Sequence, residues 1–219
     1  MTLGLYSPSC LTKYLFNLVI GVDTMSWYRT LGIEVNHDYL QQFRGTHAKD
    51  VWNQIAKDFK LTTPVDELIA SVRTSYLQYL ISLDLKPIKG IIPFLKKLKK
   101  EKITLAVASS AYHKRIDTLL KVCKLKGFFD VIVSGDHVQH GKPDPEIYLK
   151  TAQLLQRDPK DCIVFEDATS GILAAKSAGM KVIGYKGGDH NTQDLSQADK
   201  IIKSFTKITP SILFGFGYP

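Results

Sequence analysis

The sequence predicts an α/β fold: a parallel β-sheet covered by helices on both faces, with a separate, wholly helical segment ahead of most of it. Three observations carry this reading. From Ile103 onward, short β-rich runs alternate with helical stretches of the length found in βα units. The run 103–108 shows no polar alternation apart from Thr104, as expected of a strand buried on both faces. From about residue 26 to residue 83 the pattern is helical throughout.

Taken in chain order, residues 14–22 are apolar and follow Lys13, but Asn17 interrupts them and no basic leader or small-residue cleavage site flanks them. They are expected to form a buried strand. Val51, Ile55 and Phe59 then recur at helical spacing, as do Leu68, Val72 and Leu77 or Leu80. In the next helix Ile91, Ile92, Leu95 and Leu98 form the apolar face, with Lys96, Lys97, Lys99, Lys100 and Lys102 on its wet side. Strands are expected over 103–108, 131–133, 162–165, 181–185 and 200–202, and helices over 111–122, 146–155 and 171–178. Residues 208–219 are unusually apolar and aromatic for a terminus; they are expected to cover a sheet edge, the alternative being a binding surface.

The 219 residues can bury a full core, as one large domain or a domain with an inserted module. Cys10, Cys123 and Cys162 are odd in number and widely spaced, which argues against a disulfide framework or a zinc site and fits a reducing cytoplasm. The net charge of +8 owes much to the lysine-lined helix. With no nucleic-acid-binding motif beside it, that face reads as solvated, and no nucleic-acid partner is expected. No run reaches the roughly 18 apolar residues of a membrane span, so no membrane partner is expected either.

In parallel sheets of this kind ligands bind beyond the carboxyl ends of the strands. Three features stand there. Ser109-Ser110 follows a strand and opens a helix, where a hydroxyl and backbone N–H groups can hold a phosphate oxygen; a helix cap explains the same residues structurally. In Gly141-Lys-Pro-Asp-Pro145 the prolines fix the loop and set up the following helix, so Lys142 is presented at a defined place, as suits a phosphate-bearing substrate. Glu166-Asp167 directly follows a buried strand. Two adjacent acids there are costly without neutralisation, and Mg²⁺ bound through carboxylates would supply it. Gly171, Ala174, Ala175 and Ala178 let the next helix pack closely on the sheet.

Ser109, Lys142 in GKPDP and Glu166-Asp167 in FEDATSGILAAKSAG together resemble the second, third and fourth motifs of haloacid dehalogenase (HAD) superfamily enzymes, in the branch of β-phosphoglucomutase and small sugar phosphatases. The resemblance covers about residues 26–205. It implies a three-layer Rossmann-like core over 1–25 and 87–219 with an inserted helical cap over 26–86. It also implies a cytoplasmic, monomeric, Mg²⁺-dependent phosphatase of a small phosphorylated substrate, such as a sugar phosphate, or a β-phosphoglucomutase-like isomerase. Ser109, with Ser110 beside it, would then bind the transferring phosphoryl group and Lys142 would neutralise its charge. Glu166 and Asp167 would hold the metal. Gln42-Phe-Arg-Gly-Thr-His47 resembles the cap loop, where Arg44 would contact phosphate or sugar and Gly45 would permit close backbone approach.

The family's first motif, Asp-x-Asp-Gly with its nucleophile and acid/base, is not intact. In one alignment residues 16–24 are a shortened form of it, with Asn17 at the nucleophile's place and Val19 at the acid/base's. In the other, residues 18–22 form the first strand and Asp23 is the nucleophile. Asp23 stands 21 residues before Arg44 and Asn17 stands 27, both short for the usual first cap helix, and the Asn17 alignment is preferred. A catalytically inactive homologue that binds a phosphorylated ligand or a partner is therefore a third reading.

Overall fold

The computed structural model describes residues 10–13, 28, 32–36, 39, 48–83, 85–187 and 191–214. The chain divides into two compact units, Met1–Val19 with Lys86–Pro219, and Ile20–Leu85.

The larger unit is built on six parallel strands: β1 (Cys10–Lys13), β2 (Thr104–Ser109), β3 (Val131–Ser134), β4 (Cys162–Glu166), β5 (Lys181–Tyr185) and β6 (Lys200–Ile202). Their order is β3-β2-β1-β4-β5-β6. The chain thus crosses over after β1 and builds outward on both sides of it, the Rossmann-like arrangement. Strands β2 to β6 lie within a residue or two of their expected positions. The first does not. The stretch 14–22 expected as a strand lies outside the described residues, and the central strand is Cys10–Lys13, paired with β2 and β4. With four residues, two of them Thr12 and Lys13, it is too short and too polar for hydropathy to pick out beside the more apolar run that follows.

Strand alternation sorts the core into two layers. On one face Ala106, Ala108, Val133, Cys162, Val164 and Val182 pack with α5 (Glu146–Leu154) and α6 (Thr169–Ser177), through Ile147, Tyr148, Ala152, Ile172, Ala174 and Ala175. In the other layer Phe165 meets Phe94 of α3 (Ile91–Lys100) edge-on, with centroids 5.6 Å apart. Phe205 stacks on both and on Tyr185. Each such ring contributes about 1.5–3 kcal/mol by leaving water. Helix α3 buries Ile91, Phe94, Leu95 and Leu98 and leaves Lys96, Lys97 and Lys100 exposed, while Lys99 pairs with Asp130 at 2.7 Å. Helix α4 (His113–Val122) buries Ile116, Leu119 and Leu120. At the chain's end the one-turn helix α7 (Ser211–Phe214) buries Leu213, and residues 215–219 lie outside the described set.

At the amino-terminal ends of the strands two aspartates tie strands together. Asp130 accepts the Leu105 N–H at 2.8 Å and donates its own N–H to the Leu105 carbonyl at 2.8 Å. Asp199 does the same with Val182, at 2.7 and 2.9 Å.

The smaller unit contains α1 (Ala48–Asp58) and α2 (Val65–Ser82). Helix α1 buries Trp52 and Ile55, and α2 buries Tyr76, Leu77 and Leu80. Among the described residues no helix is long and apolar enough to cross a membrane.

Candidate active site at the carboxyl ends of the strands

Ser109, Ser134 and Glu166 are the last residues of β2, β3 and β4, and all three are buried. Ser109 and Ser134 are partners in the ladder. Leu11 of the central strand pairs with both Leu105 and Ile163, so Ser109 and Asp167, each four residues further on, stand at one level. Two strand spacings, about 10 Å, separate them. The Ser109 hydroxyl oxygen accepts the Ala111 N–H at 3.2 Å, which leaves its proton for an outside acceptor. Ser110 is exposed, and its carbonyl lies against Gly135, where a Cβ would come within 2.3 Å of it. Only glycine lets the two loops meet there.

Lys142 arrives from the loop between β3 and α5. Glu146, the first residue of α5, accepts the Gln139 N–H at 3.0 Å and the His140 N–H at 2.8 Å. Asp144 accepts the Glu146 N–H at 2.9 Å, and Tyr148 donates its N–H to the Pro145 carbonyl at 2.9 Å. Loop and helix start are thereby one piece, with a cis bond between Lys142 and Pro143. The Lys142 side chain is only 6% exposed, although a lysine is seldom buried without a partner. Its Nζ lies 3.9 Å from Glu166 Oε2 and 3.5 Å from the Tyr148 hydroxyl, and 5.0 Å from that ring's centroid. The Tyr148 hydroxyl in turn faces Glu166 Oε2 at 3.5 Å.

The electrostatics of this group are unfavourable to its own charges. Burial pulls the Lys142 ammonium well below the usual lysine range, and the Glu166 and Asp167 charges only partly hold it up. Burial likewise pushes the Glu166 carboxyl upward; Lys142 opposes this, Asp167 adds to it, and the Ala168 N–H and Tyr148 hydroxyl do not restore it. Burial also drives the Tyr148 hydroxyl up, with both acids adding to the effect. Charged ligands would relieve these groups: an anion for Lys142 and a cation for the acids.

Gly171, in the first turn of α6, forms the cradle of Glu166. A Cβ at Gly171 would lie 2.0 Å from Glu166 Oε1 and 2.3 Å from its Cδ. The carboxylate is therefore folded against the helix and not out in solvent. Asp167 is half-buried beside it, and its carbonyl accepts from Asn191 Nδ2 at 3.0 Å. Asn191 also donates to the Tyr185 carbonyl at 3.3 Å, and Gln193 accepts the Thr169 N–H at 3.1 Å, so the loop after β5 braces the start of α6. Two adjacent carboxylates, one buried and in need of counter-charge, form a hard oxygen donor set that fits Mg²⁺.

The structure thus brings Lys142, Glu166 and Asp167 to one end of the sheet, with Ser109 at the same level and Ser110 in the loop beyond it. Asn17, Asp23, Arg44 and Gly45 lie outside the described residues. Tyr148 escaped the sequence reading; its position six residues after Lys142, on the face of α5 turned to the sheet, was the available signal. His140, Asp144 and Glu146 form a second cluster whose ligand atoms lie within 4.8 Å of one another. Their bonds to the loop backbone account for that geometry as a helix start.

Comparison with known proteins agrees with this architecture. The family of haloacid dehalogenase-like hydrolases matches residues 19–185. The bifunctional riboflavin kinase/FMN phosphatase of Arabidopsis thaliana is 33% identical over 156 residues, which are 70% of this chain and 40% of that protein. The chain therefore spans well under half of the plant relative's length. Validoxylamine A 7'-phosphate phosphatase of Streptomyces hygroscopicus subsp. limoneus is 31% identical over 181 residues, covering 83% of this chain and 84% of the relative. Among solved structures, CbbY from Rhodobacter sphaeroides in complex with phosphate superimposes with a TM-score of 0.79 at 21% identity, over 92% of this chain and 96% of that one. With a match across most of its length and relatives of this kind, the chain belongs to the haloacid dehalogenase-like hydrolases.

Proposed function

We propose that this protein binds a small phosphorylated metabolite, a sugar phosphate, and hydrolyses its phosphate ester with Mg²⁺ held by Glu166 and Asp167. The observation that carries the reading is the burial of Lys142 against Glu166 where the strands end. That arrangement costs folding free energy unless ligands complete it. In this reading the Lys142 ammonium balances the phosphoryl charge, and the Ser109 hydroxyl donates to a phosphoryl oxygen while the Ala111 N–H fixes its oxygen. Mg²⁺, when bound, would neutralise charge on the phosphoryl oxygens and the attacking carboxylate. In this reading Arg44 contacts the phosphate or the sugar and Gly45 permits close backbone approach.

Hydrolysis through a carboxylate needs an oxygen nucleophile: the P–O ester bond breaks, the alcohol leaves with a proton, and water then cleaves the acyl phosphate. Asp23 is the only Asp or Glu before Glu34. Asn17 stands four residues beyond the end of β1 and Asp23 ten. The closer position thus holds an amide, which favours a second reading: a phospho-ligand-binding homologue without turnover.

A panel of sugar phosphates incubated with the protein and Mg²⁺ separates the two. Hydrolysis predicts phosphate release that stops on chelation and in Asp23→Ala, and a beryllium fluoride adduct that the same substitution removes. Ligand binding without release, in the presence of an intact metal site, establishes the second reading. With β-glucose 1-phosphate, free glucose marks a phosphatase and glucose 6-phosphate a mutase. Release that persists in Asp23→Ala rules that residue out as nucleophile.

A further inference from the structure

The parallel ladder between β4 and β5 runs from Ile163–Lys181 to Glu166–Gly184. Continued by one residue, it would set Asp167 opposite Tyr185. At that step a side chain takes the ladder's place. Asn191 Nδ2 donates to the Asp167 carbonyl at 3.0 Å and to the Tyr185 carbonyl at 3.3 Å. Oδ1 of the same amide accepts the Gln193 N–H at 2.9 Å. We propose that Asn191 is a positioning residue, an amide bridge that fixes the backbone of Asp167 where the ladder ends and so sets the direction in which its carboxylate meets a cation. This rests on the reading of Glu166 and Asp167 as cation ligands.

The partners of this amide are backbone groups of fixed polarity. Two are carbonyls, which only accept, and one is an N–H, which only donates, so the bridge needs donors on one atom and an acceptor on the other. Asparagine supplies both at this length; aspartate offers no donor and leucine neither. The segment that carries it is anchored on both sides. Lys186 Nζ donates to the Asn191 carbonyl at 2.6 Å, and Leu195 is buried in the core layer of Val182 and Ala175. Two residues past Asp167 the same segment takes hold again. Gln193 Oε1 accepts the Thr169 N–H at 3.1 Å, and Thr169 Oγ1 donates to the Asp194 carbonyl at 3.0 Å. Residues 167–169 are thus held at both ends by one stretch of chain. The two acids are therefore positioned by different means: Glu166 is folded against Gly171, whereas Asp167 takes its backbone from the bridge. The Asp167 charge is felt by Lys142, Glu166 and Tyr148, so its carboxylate faces the site and a turn of its backbone would move a ligand.

Asn191→Ala removes the bridge. Asn191→Asp keeps its length and the acceptor for Gln193 but turns a carboxylate oxygen toward two carbonyls. Calorimetric titration with Mg²⁺ is expected to show about tenfold weaker binding in both variants, the scale of lost support behind a metal ligand. Charge alone would make Asn191→Asp bind Mg²⁺ more tightly, so weakening there isolates the lost direction. In chelator, backbone hydrogen exchange over residues 167–169 is expected to quicken roughly tenfold in Asn191→Ala, as for a segment that has lost two net hydrogen bonds, while exchange in β2 stays as it was. Variants that bind Mg²⁺ as tightly as the unsubstituted protein, whatever their stability, overturn the proposal, because the bridge would then serve the fold alone. Tighter binding by Asn191→Asp overturns it too. So does unchanged exchange over 167–169, a readout that needs no metal. If exchange quickens but the unsubstituted protein binds no Mg²⁺, the reading of the two acids as cation ligands falls and the hold of Asn191 on Asp167 stands.

Discussion

At the amino-terminal edge of the sheet, Asp130 and Asp199 hold matching places. Each immediately precedes an edge strand, exchanges two hydrogen bonds with the backbone of the neighbouring strand, and has a lysine, Lys99 or Lys176, at 2.7 Å. Burial pulls both carboxyls upward, but the backbone N–H and the lysine outweigh it and hold them below the usual range. At the carboxyl edge Glu166 also has a lysine and N–H groups near it, and the balance goes the other way: burial wins. The difference is geometric. The amino-edge lysines make direct contact from a half-exposed position, whereas Lys142 is itself buried and stands off at 3.9 Å. One edge holds its acids in short contacts with half-exposed lysines, and the other holds Glu166 buried beside a lysine that is itself buried.

The largest effect is expected from changing Gly171, which holds the buried Glu166 carboxylate in place. Gly171→Ala sets a Cβ 2.0 Å from Glu166 Oε1, so the carboxylate must leave its cradle. The cost should be about 1–3 kcal/mol by urea unfolding, typical of overpacking, with at least tenfold weaker Mg²⁺ binding. In a Glu166→Ala background the obstacle is gone. There alanine should stabilise the helix by roughly 0.5–1 kcal/mol. This reversal of sign is the test, because a cost that persists in both backgrounds would mean that Gly171 serves the helix and not the acid.

Most of the frame supporting this contrast was legible in the sequence, because strands buried on both faces have no polar alternation and βα units have a characteristic length. Strands β2 to β6 and the helices between them follow from that, and position at strand ends pointed to Ser109, Lys142, Glu166 and Asp167. Three things were not legible. Strand β1 is four residues long and half polar, so the apolar run after it drew the assignment. Tyr148 reads as one more apolar position on a helix, since its hydroxyl matters only once β4 brings Glu166 beside it. The pairing of Asp130 with Leu105 and of Asp199 with Val182 joins residues 25 and 17 apart, which no local pattern signals.

At the amino edge Asp199→Asn is the next largest expected effect. The amide can still accept the Val182 N–H, but the charge that Lys176 contacts is lost, and this side chain is only 20% exposed. A loss of about 1–2 kcal/mol at neutral pH is expected, in the range for hydrogen bonds to charged groups. Its pH dependence identifies the cause. A carboxyl held below its unfolded value near 3.9 contributes fully above that value and loses its contribution as pH falls through the folded one. Unfolding curves of Asp199→Asn and the unsubstituted protein should therefore differ at pH 7 and converge as pH drops below about 4.

Asp130→Asn should repeat this pattern in smaller form. Its partner geometry matches that of Asp199, but its side chain is 43% exposed and solvent screens the Lys99 contact. A loss below about 1 kcal/mol is expected, shrinking further in high salt. An Asp130→Asn cost as large as that of Asp199→Asn, and insensitive to salt, would show that the backbone exchange with Leu105 carries the effect and not the charge. The contrast between the two edges would then rest on hydrogen-bond geometry: two N–H···O bonds exchanged with a strand's backbone at its start, against a carboxylate at a strand's end that meets the Ala168 N–H and longer contacts from Lys142 and Tyr148.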